Sequence, residues 1–233
     1  MKRVIIASTS TLHQGNYLEY LLPTLKDHYK GVATLLFIPF ARPGGISYEA
    51  YTDRARGAFS KLGIAIKGIH EYDNYSEAVQ NAEGIFTGGG NTFELVNQLY
   101  KTGIIDDLKT VVENGTPYLG TSAGSNICGV TMMNTNDMPI VYPPSFKTLG
   151  LIPFNINAHY LDPVEGSKHM GETRATRIKE YHVFNTTAVL GLREGSWLEV
   201  SDNTVLLKGA LTARVFKANE TPYELESGSE VVL

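Results

Sequence analysis

Cys128 is the only cysteine in the 233 residues, so no disulfide can form within the chain. That fits a reducing compartment, and a cytoplasmic location is expected. Long apolar runs are missing as well. No stretch reaches the roughly eighteen apolar residues that a membrane helix needs. Basic clusters are absent too: 20 basic against 24 acidic residues leave a net charge of −4, and the basic ones are scattered. Neither a nucleic-acid partner nor a membrane partner is expected. There is no internal repeat, low-complexity tract or linker, so residues 1–233 read as one domain. With 42% hydrophobic residues the chain can build one large core, or at most two small ones. The opening Met1-Lys2-Arg3 and Val4-Ile5-Ile6-Ala7 imitate a signal peptide, but the apolar run stops too soon, at Ser8-Thr9-Ser10-Thr11. It reads as a first buried strand.

What is present is an alternation. Short apolar, β-branched runs lie at 3–8, 34–39, 64–69, 84–87, 117–120, 151–156, 188–192, 197–201, 204–208 and 213–217. The early ones are nearly continuous in hydrophobicity, as parallel strands covered on both faces must be. Helical patterns fall between them at 16–28, 48–62, 76–82, 92–101, 104–114, 122–130 and 171–181. Caps mark some starts: Asn91 or Thr92 before Phe93-Glu94, and Ser76 before Glu77. Strand alternating with helix through about residue 130 predicts a three-layer α/β sandwich with a largely parallel central sheet. Beyond residue 185 the strands crowd together and predict a C-terminal antiparallel extension or edge hairpin.

In an open α/β sheet, ligands bind outside the carboxyl ends of the strands, so the loops there carry the chemistry. After the run at 84–87 comes Thr87-Gly-Gly-Gly-Asn-Thr92. Three glycines before a helix start leave N–H groups open to an oxyanion or phosphate. A tight structural turn has the same composition. Neither a Walker loop nor G-x-G-x-x-G is present. After the run at 117–120 comes Gly120-Thr-Ser-Ala-Gly124, a G-x-S-x-G. A serine on a strained strand-to-helix corner crowds its neighbours, which calls for glycine two residues away on each side. Ser122 is then a candidate nucleophile, and the Ala123 N–H a candidate oxyanion donor beside Gly89 and Gly90. The plain alternative is a serine that only caps a helix.

A serine nucleophile needs a base, and the base an orienting acid. Of six histidines, His13, His28, His70 and His182 lie in polar or helical surface contexts. His159 follows an apolar run and sits where a strand gives way to a loop; His169, in Gly-Ser-Lys-His-Met, is its competitor. Two acids are open as the partner. Glu194 follows the run at 188–192 and shares the strand-end placement of Ser122 and His159, which favours it. Asp137, between the Ser122 helix and the His159 strand, is the other; it and Asn136 could instead line the pocket.

Together the stretches FIPFA (37–41), EYDN…GGGNTFEL (71–95), GTSAGSN (120–126), NTNDMPIV (134–141), INAHY (156–160), GETRATRI (171–178) and GLREGSW (191–197) resemble the peptidase E, or aspartyl dipeptidase, family. The matching blocks run in order from near the first strand almost to the C-terminus. Related families are the cyanophycinases and the class I glutamine amidotransferase domains, which use cysteine where Ser122 stands here. The resemblance implies a class I glutamine amidotransferase-like, flavodoxin-like sheet and a cytoplasmic serine hydrolase. Its substrates would be dipeptides with N-terminal aspartate, with no metal or cofactor. It implies Ser122 as nucleophile, His159 as base, residues 88–90 as the oxyanion loop, and acids at both Asp137 and Glu194. Thr121 and Ser125 depart from the familiar aromatic and alanine, which puts the pocket shape in question.

An aspartyl substrate calls for a cation, and arginine suits a carboxylate better than lysine. Arg174 is the first candidate, Arg177 the second, and Asn91 a further substrate contact; Asp137 or Glu172 would meet the free α-amino group. Two rival readings share these motifs. One is a cyanophycinase-like hydrolase of β-aspartyl peptides. The other is a non-catalytic α/β module that binds an anion at Thr87–Thr92. A monomer or small homo-oligomer is expected.

Overall fold

In a computed structural model, residues 1–163, 166 and 171–233 are described. In chain order the elements are β1 (Arg3–Ala7), α1 (Leu22–His28), β2 (Thr34–Ile38), α2 (Tyr48–Phe59), β3 (Ala65–Gly68), α3 (Tyr75–Gln80), β4 (Ile85–Thr87), α4 (Thr92–Lys101), α5 (Ile105–Glu113), β5 (Tyr118–Thr121), α6 (Ala123–Asn126), β6 (Asn155–Ala158), α7 (Arg174–Phe184), β7 (Val189–Leu192), β8 (Trp197–Ser201), β9 (Thr204–Lys208), β10 (Ala213–Phe216) and β11 (Tyr223–Leu225). Seven strands form the main sheet in the order β3-β2-β4-β5-β1-β8-β9. The first five in that order run parallel; β8 and β9 add on antiparallel, as the crowded C-terminal pattern predicts.

Alternate residues of these strands feed opposite faces, as the two-residue period of a strand requires. Val4, Ile6, Leu36, Ile38 and Ile85 join α3, α4, α5 and α6 in one core layer. Ile5, Ala7, Leu35, Phe37, Phe86 and Leu119 join α1 and α2 in the other. Helix α4 shows the logic. The Asn91 side chain caps its N-terminus by accepting from Glu94 N–H, and Leu95, Val96 and Leu99 bury one face completely. Each such side chain contributes about 1.5–3 kcal/mol of transfer free energy.

A second sheet, β11-β10-β7-β6, takes the remaining strands. The sequence pattern does not foresee it, nor the three-residue β11. β6 also begins later than the apolar run at 151–156. Leu151 and Ile152 donate their N–H groups to Cys128 O instead of to a strand, which makes that run a buried turn. Asn155 and Asn157, wholly buried within β6, bond the loop at 130–136. The same Cys128 carbonyl lies just past α6, which ends at Asn126 rather than Val130. Two more helices differ from their patterns. Leu18 adopts a left-handed φ of 58°, so the expected helix at 16–28 opens as a short 3-10 turn and is helical only from Leu22. Helix α7 starts at Arg174 because Thr173 caps it, accepting from Thr176 N–H at 3.1 Å. Among the described residues no helix is long and apolar enough to cross a membrane.

Candidate active site

Ser122 stands between β5 and α6 with φ 54° and ψ −109°, a conformation that an L-residue holds only under constraint. The constraint is visible. Its N–H donates to Ala7 O at 3.1 Å, and the next strand of backbone leaves no room for side chains. A Cβ on Gly120 would run into the Gly124 carbonyl, and one on Gly124 into the Thr87 carbonyl. Both glycines of the G-x-S-x-G are thus steric requirements. Ser125 Oγ ties α6 down by bonding Ala7 O at 2.6 Å and Gly120 O at 2.8 Å. Ser125 and Thr121 are both fully buried.

His159 follows β6 and Glu194 lies just beyond β7. These strands are parallel neighbours with Ala158 opposite Leu192, so the residues that follow emerge side by side. His159 Nδ1 is 2.6 Å from Glu194 Oε1, and His159 Nε2 is 2.9 Å from Ser122 Oγ. An ionised carboxylate only accepts, so the Nδ1 position carries the proton and Nε2 faces the serine as an acceptor. The imidazole is 36% exposed and the Glu194 side chain 45%, so the chain of bonds opens to solvent. Ser8 holds it from behind. Its Oγ accepts from His159 N–H at 2.9 Å and donates to Leu192 O at 2.7 Å. Asn126 Oδ1 accepts from Ala158 N–H, and Asn136 Nδ2 donates to Ala158 O. Sequence reading missed Ser8, since a serine in a polar run after a strand carries no distinguishing pattern.

Among the described residues Asp137 makes no hydrogen bond to the histidine. Its Oδ2 accepts from Thr92 N–H at 2.7 Å and from the Thr92 and Thr135 hydroxyls. The free N–H groups at the start of α4 attract a carboxylate, and they engage Asp137 Oδ2. Asn91 is likewise engaged, with Oδ1 on Glu94 N–H and Nδ2 on Met138 O at 2.8 Å. Arg174 opens α7 and is half-buried; Arg177 is exposed. Burial first, and then repulsion from Arg177, push the Arg174 guanidinium below its ordinary range, while Asp137 pulls the other way. The three charges therefore share one neighbourhood. Among the described residues Arg174 forms no ion pair. Glu172 is exposed, and His169 lies outside the described residues.

Gly89 abuts the serine: a Cβ there would lie 2.9 Å from Ser122 Cβ and 3.5 Å from its Oγ. Among the described residues, the N–H groups of Gly89, Gly90 and Ala123 have no acceptor. His28 is not the surface residue its context suggests. It is half-buried with Nε2 3.1 Å from Tyr118 O, and burial together with Arg3 pushes it down to about 4. Among the described residues, one group of metal-ligand type gathers, Glu49, His70 and Glu71; Arg56 already bridges both glutamates at 2.9 and 2.6 Å.

Comparison with known proteins bears on the whole chain. The model of "Peptidase family S51" matches residues 4–208. "Peptidase E" of Streptomyces coelicolor is 45% identical over 228 residues, covering 98% of this chain and 93% of that protein. A "Probable alpha-aspartyl dipeptidase" of Drosophila melanogaster is 41% identical over 227 residues, 96% of this chain and 93% of that one. Among solved structures, a putative peptidase E protein from Listeria monocytogenes EGD-e has a TM-score of 0.69 at 19% identity, covering 90% and 98% of the two chains. A peptidase from an acI-B1 Actinobacterium has a TM-score of 0.76 at 17% identity, covering 100% and 97%. At those identities the two structures speak for the fold.

Proposed function

The chain belongs to peptidase family S51, and from that premise we propose that it is a serine dipeptidase hydrolysing Asp-Xaa dipeptides through Ser122, His159 and Glu194. The observation that carries the reading is the continuous run of hydrogen bonds from Glu194 through His159 to Ser122 Oγ, at 2.6 and 2.9 Å. The names of the relatives support the substrate class.

In this reading Ser122 Oγ attacks the peptide carbonyl while His159 Nε2 takes its proton. Glu194 fixes the tautomer and offsets the imidazolium charge. The oxyanion is received by the N–H groups of Ala123 and of Gly90 or Gly89, at the start of α6 and in the glycine turn. His159 then protonates the leaving amine. Water, activated by the same imidazole, hydrolyses the acyl-enzyme and frees aspartate. Arg174 faces the substrate's side-chain carboxylate, with Arg177 in reserve. Asp137 meets the α-amino group through Oδ1, which makes no hydrogen bond among the described residues. The strained backbone at Ser122 supports the assignment, because a serine that only capped a helix has no need of it.

A panel of α- and β-aspartyl dipeptides and aspartyl p-nitroanilide, run with EDTA on wild type and Ser122→Ala, tests the reading. Wild type should cleave the α-linked substrates, and Ser122→Ala should lose about 10⁴-fold or more in kcat. Turnover retained by Ser122→Ala would overturn the serine mechanism, and a preference for β-linked peptides would favour the cyanophycinase-like reading.

A further inference from the structure

The glycine turn between β4 and α4 divides its backbone groups unevenly. Gly88 N–H donates to Ile38 O at 3.1 Å and Asn91 N–H to Ala41 O at 2.7 Å, which pins the two ends of the turn. The N–H groups between them are the unbonded ones. The carbonyl between them is the opposite case, because Gly89 O accepts twice: from Arg42 Nε at 3.1 Å and from the Tyr51 hydroxyl at 3.1 Å. In a trans peptide the C=O and the following N–H point in opposite directions. Holding the Gly89 carbonyl on one side therefore sets the Gly90 N–H on the other.

That peptide needs holding. It joins two glycines, one of them at φ +147°, and glycine backbone rotates with little steric resistance. Were the peptide to turn over, it would offer a carbonyl where an oxyanion has to be received. Ala41 O meets any Cβ on Gly90, so the strained position admits no side chain that would stiffen it. Stiffness has to come from outside the turn, and Tyr51 and Arg42 are placed to supply it. Tyr51 is 2% exposed, with its ring edge-on to Phe37 at 5.0 Å between centroids. The Gly88 backbone lies so close to Tyr51 that a Cβ there would come within 2.6 Å of the hydroxyl. Arg42 stacks its guanidinium on the same ring, 5.5 Å from the centroid, and donates as a charged group, which strengthens the bond.

We propose that Arg42 and Tyr51 are positioning residues of the oxyanion site: by holding the Gly89 carbonyl from behind they keep the Gly90 N–H turned toward the oxygen that becomes charged at Ser122. The proposal rests on the serine mechanism above and adds two side chains that touch neither the nucleophile nor the base. Arg42 is exposed, and Tyr51→Phe keeps the buried ring, so Arg42→Met and Tyr51→Phe leave the fold in place. Outright loss of one oxyanion donor costs about 10²–10³ in kcat. Loosening it should cost about tenfold in kcat for each variant and about a hundredfold for the pair, with KM for aspartyl p-nitroanilide within about twofold of wild type.

Two inhibitors separate positioning from general damage. The aldehyde analogue of aspartate, with its α-carboxyl reduced to an aldehyde, adds to Ser122 and places its oxygen in the oxyanion site. β-Alanine, which is aspartate without its α-carboxyl, keeps the amine and the side-chain carboxylate and places no oxygen in that site. The double variant should bind the aldehyde about a hundredfold more weakly and β-alanine as wild type does. Equal weakening of both ligands, or an unchanged kcat in the double variant, overturns the proposal. An aldehyde that binds Ser122→Ala as tightly as wild type would instead overturn the serine mechanism beneath it.

Discussion

Glu194 Oε1 stands 2.6 Å from His159 Nδ1, whereas Asp137 Oδ2 is taken up by Thr92 and Thr135. The two carboxylates should therefore fail differently. Glu194→Gln keeps the shape but offers its amide to the wrong ring tautomer and removes the charge opposite the imidazolium. It should cost about 10²–10⁴ in kcat with little change in stability. Asp137→Asn should cost about 1–2 kcal/mol of stability, because the Thr92 N–H loses a charged acceptor. In the proposed mechanism Oδ1 meets the substrate amine, so its kinetic effect should fall on KM. Steady-state kinetics and urea melts of both variants check this, and a larger kcat loss in Asp137→Asn would reverse the assignment. Strand-end placement already favoured Glu194 from sequence. The job of Asp137 was not legible there, because it depends on where α4 begins in space.

At the scale of elements, the parts with strong local signals are those the sequence locates well. Helix α4 matches its pattern to the residue, since Asn91 supplies a cap and Leu95, Val96 and Leu99 share a face. Asn91 has a second duty that no pattern reveals, its Nδ2 bond to Met138 O. Substitution separates the two. Asn91→Asp keeps an acceptor for Glu94 N–H and loses only the Met138 contact, so its urea midpoint should move little. Asn91→Ala loses both and should cost about 1–2 kcal/mol. If Asn91→Asp destabilises as much as Asn91→Ala, the tie to the 138 loop matters more than the cap. The run at 151–156 shows the opposite case. Its hydrophobicity suits a strand, but only its last two residues belong to one, because the Cys128 carbonyl captures Leu151 and Ile152.

For the whole molecule, the site is an agreement between two sheets. Ser122 and the glycine turn come from the main sheet, His159 and Glu194 from the small one, and Ser8 bonds across the join. Stability of the main sheet carries its own pH dependence. His28 sits against β5 in the folded chain with its pKa lowered to about 4, whereas in the unfolded chain it titrates near its ordinary value of about 6.5. Between those values the unfolded chain binds the extra proton, so stability falls as pH falls from about 6.5 toward 4. The loss across that window is on the order of 2 kcal/mol, as the ring is not wholly buried. His28→Gln keeps a donor for Tyr118 O and does not titrate. Its unfolding free energy should drop less than that of wild type between pH 7 and pH 4.5. Parallel curves for the two proteins would show that His28 does not carry the acid sensitivity.

The alternating strands and helices of the main sheet, the Ser122 corner with its two glycines, and His159 at a strand end with Glu194 favoured over Asp137 as its partner were all readable from the chain alone. Each of these rests on short-range physics: periodicity of burial, crowding around one serine, and the placement of loops after strands. Folding in three dimensions was needed to place β6, β7, β10 and β11 in a second sheet, Asp137 on α4, Ser8 on the His159 N–H, and Arg42 and Tyr51 on the Gly89 carbonyl. Those outcomes join residues far apart in the chain, 151 positions for Ser8 and His159, largely through hydrogen bonds to backbone groups. A backbone acceptor or donor has no residue type, so no motif in the sequence marks where such a bond will form.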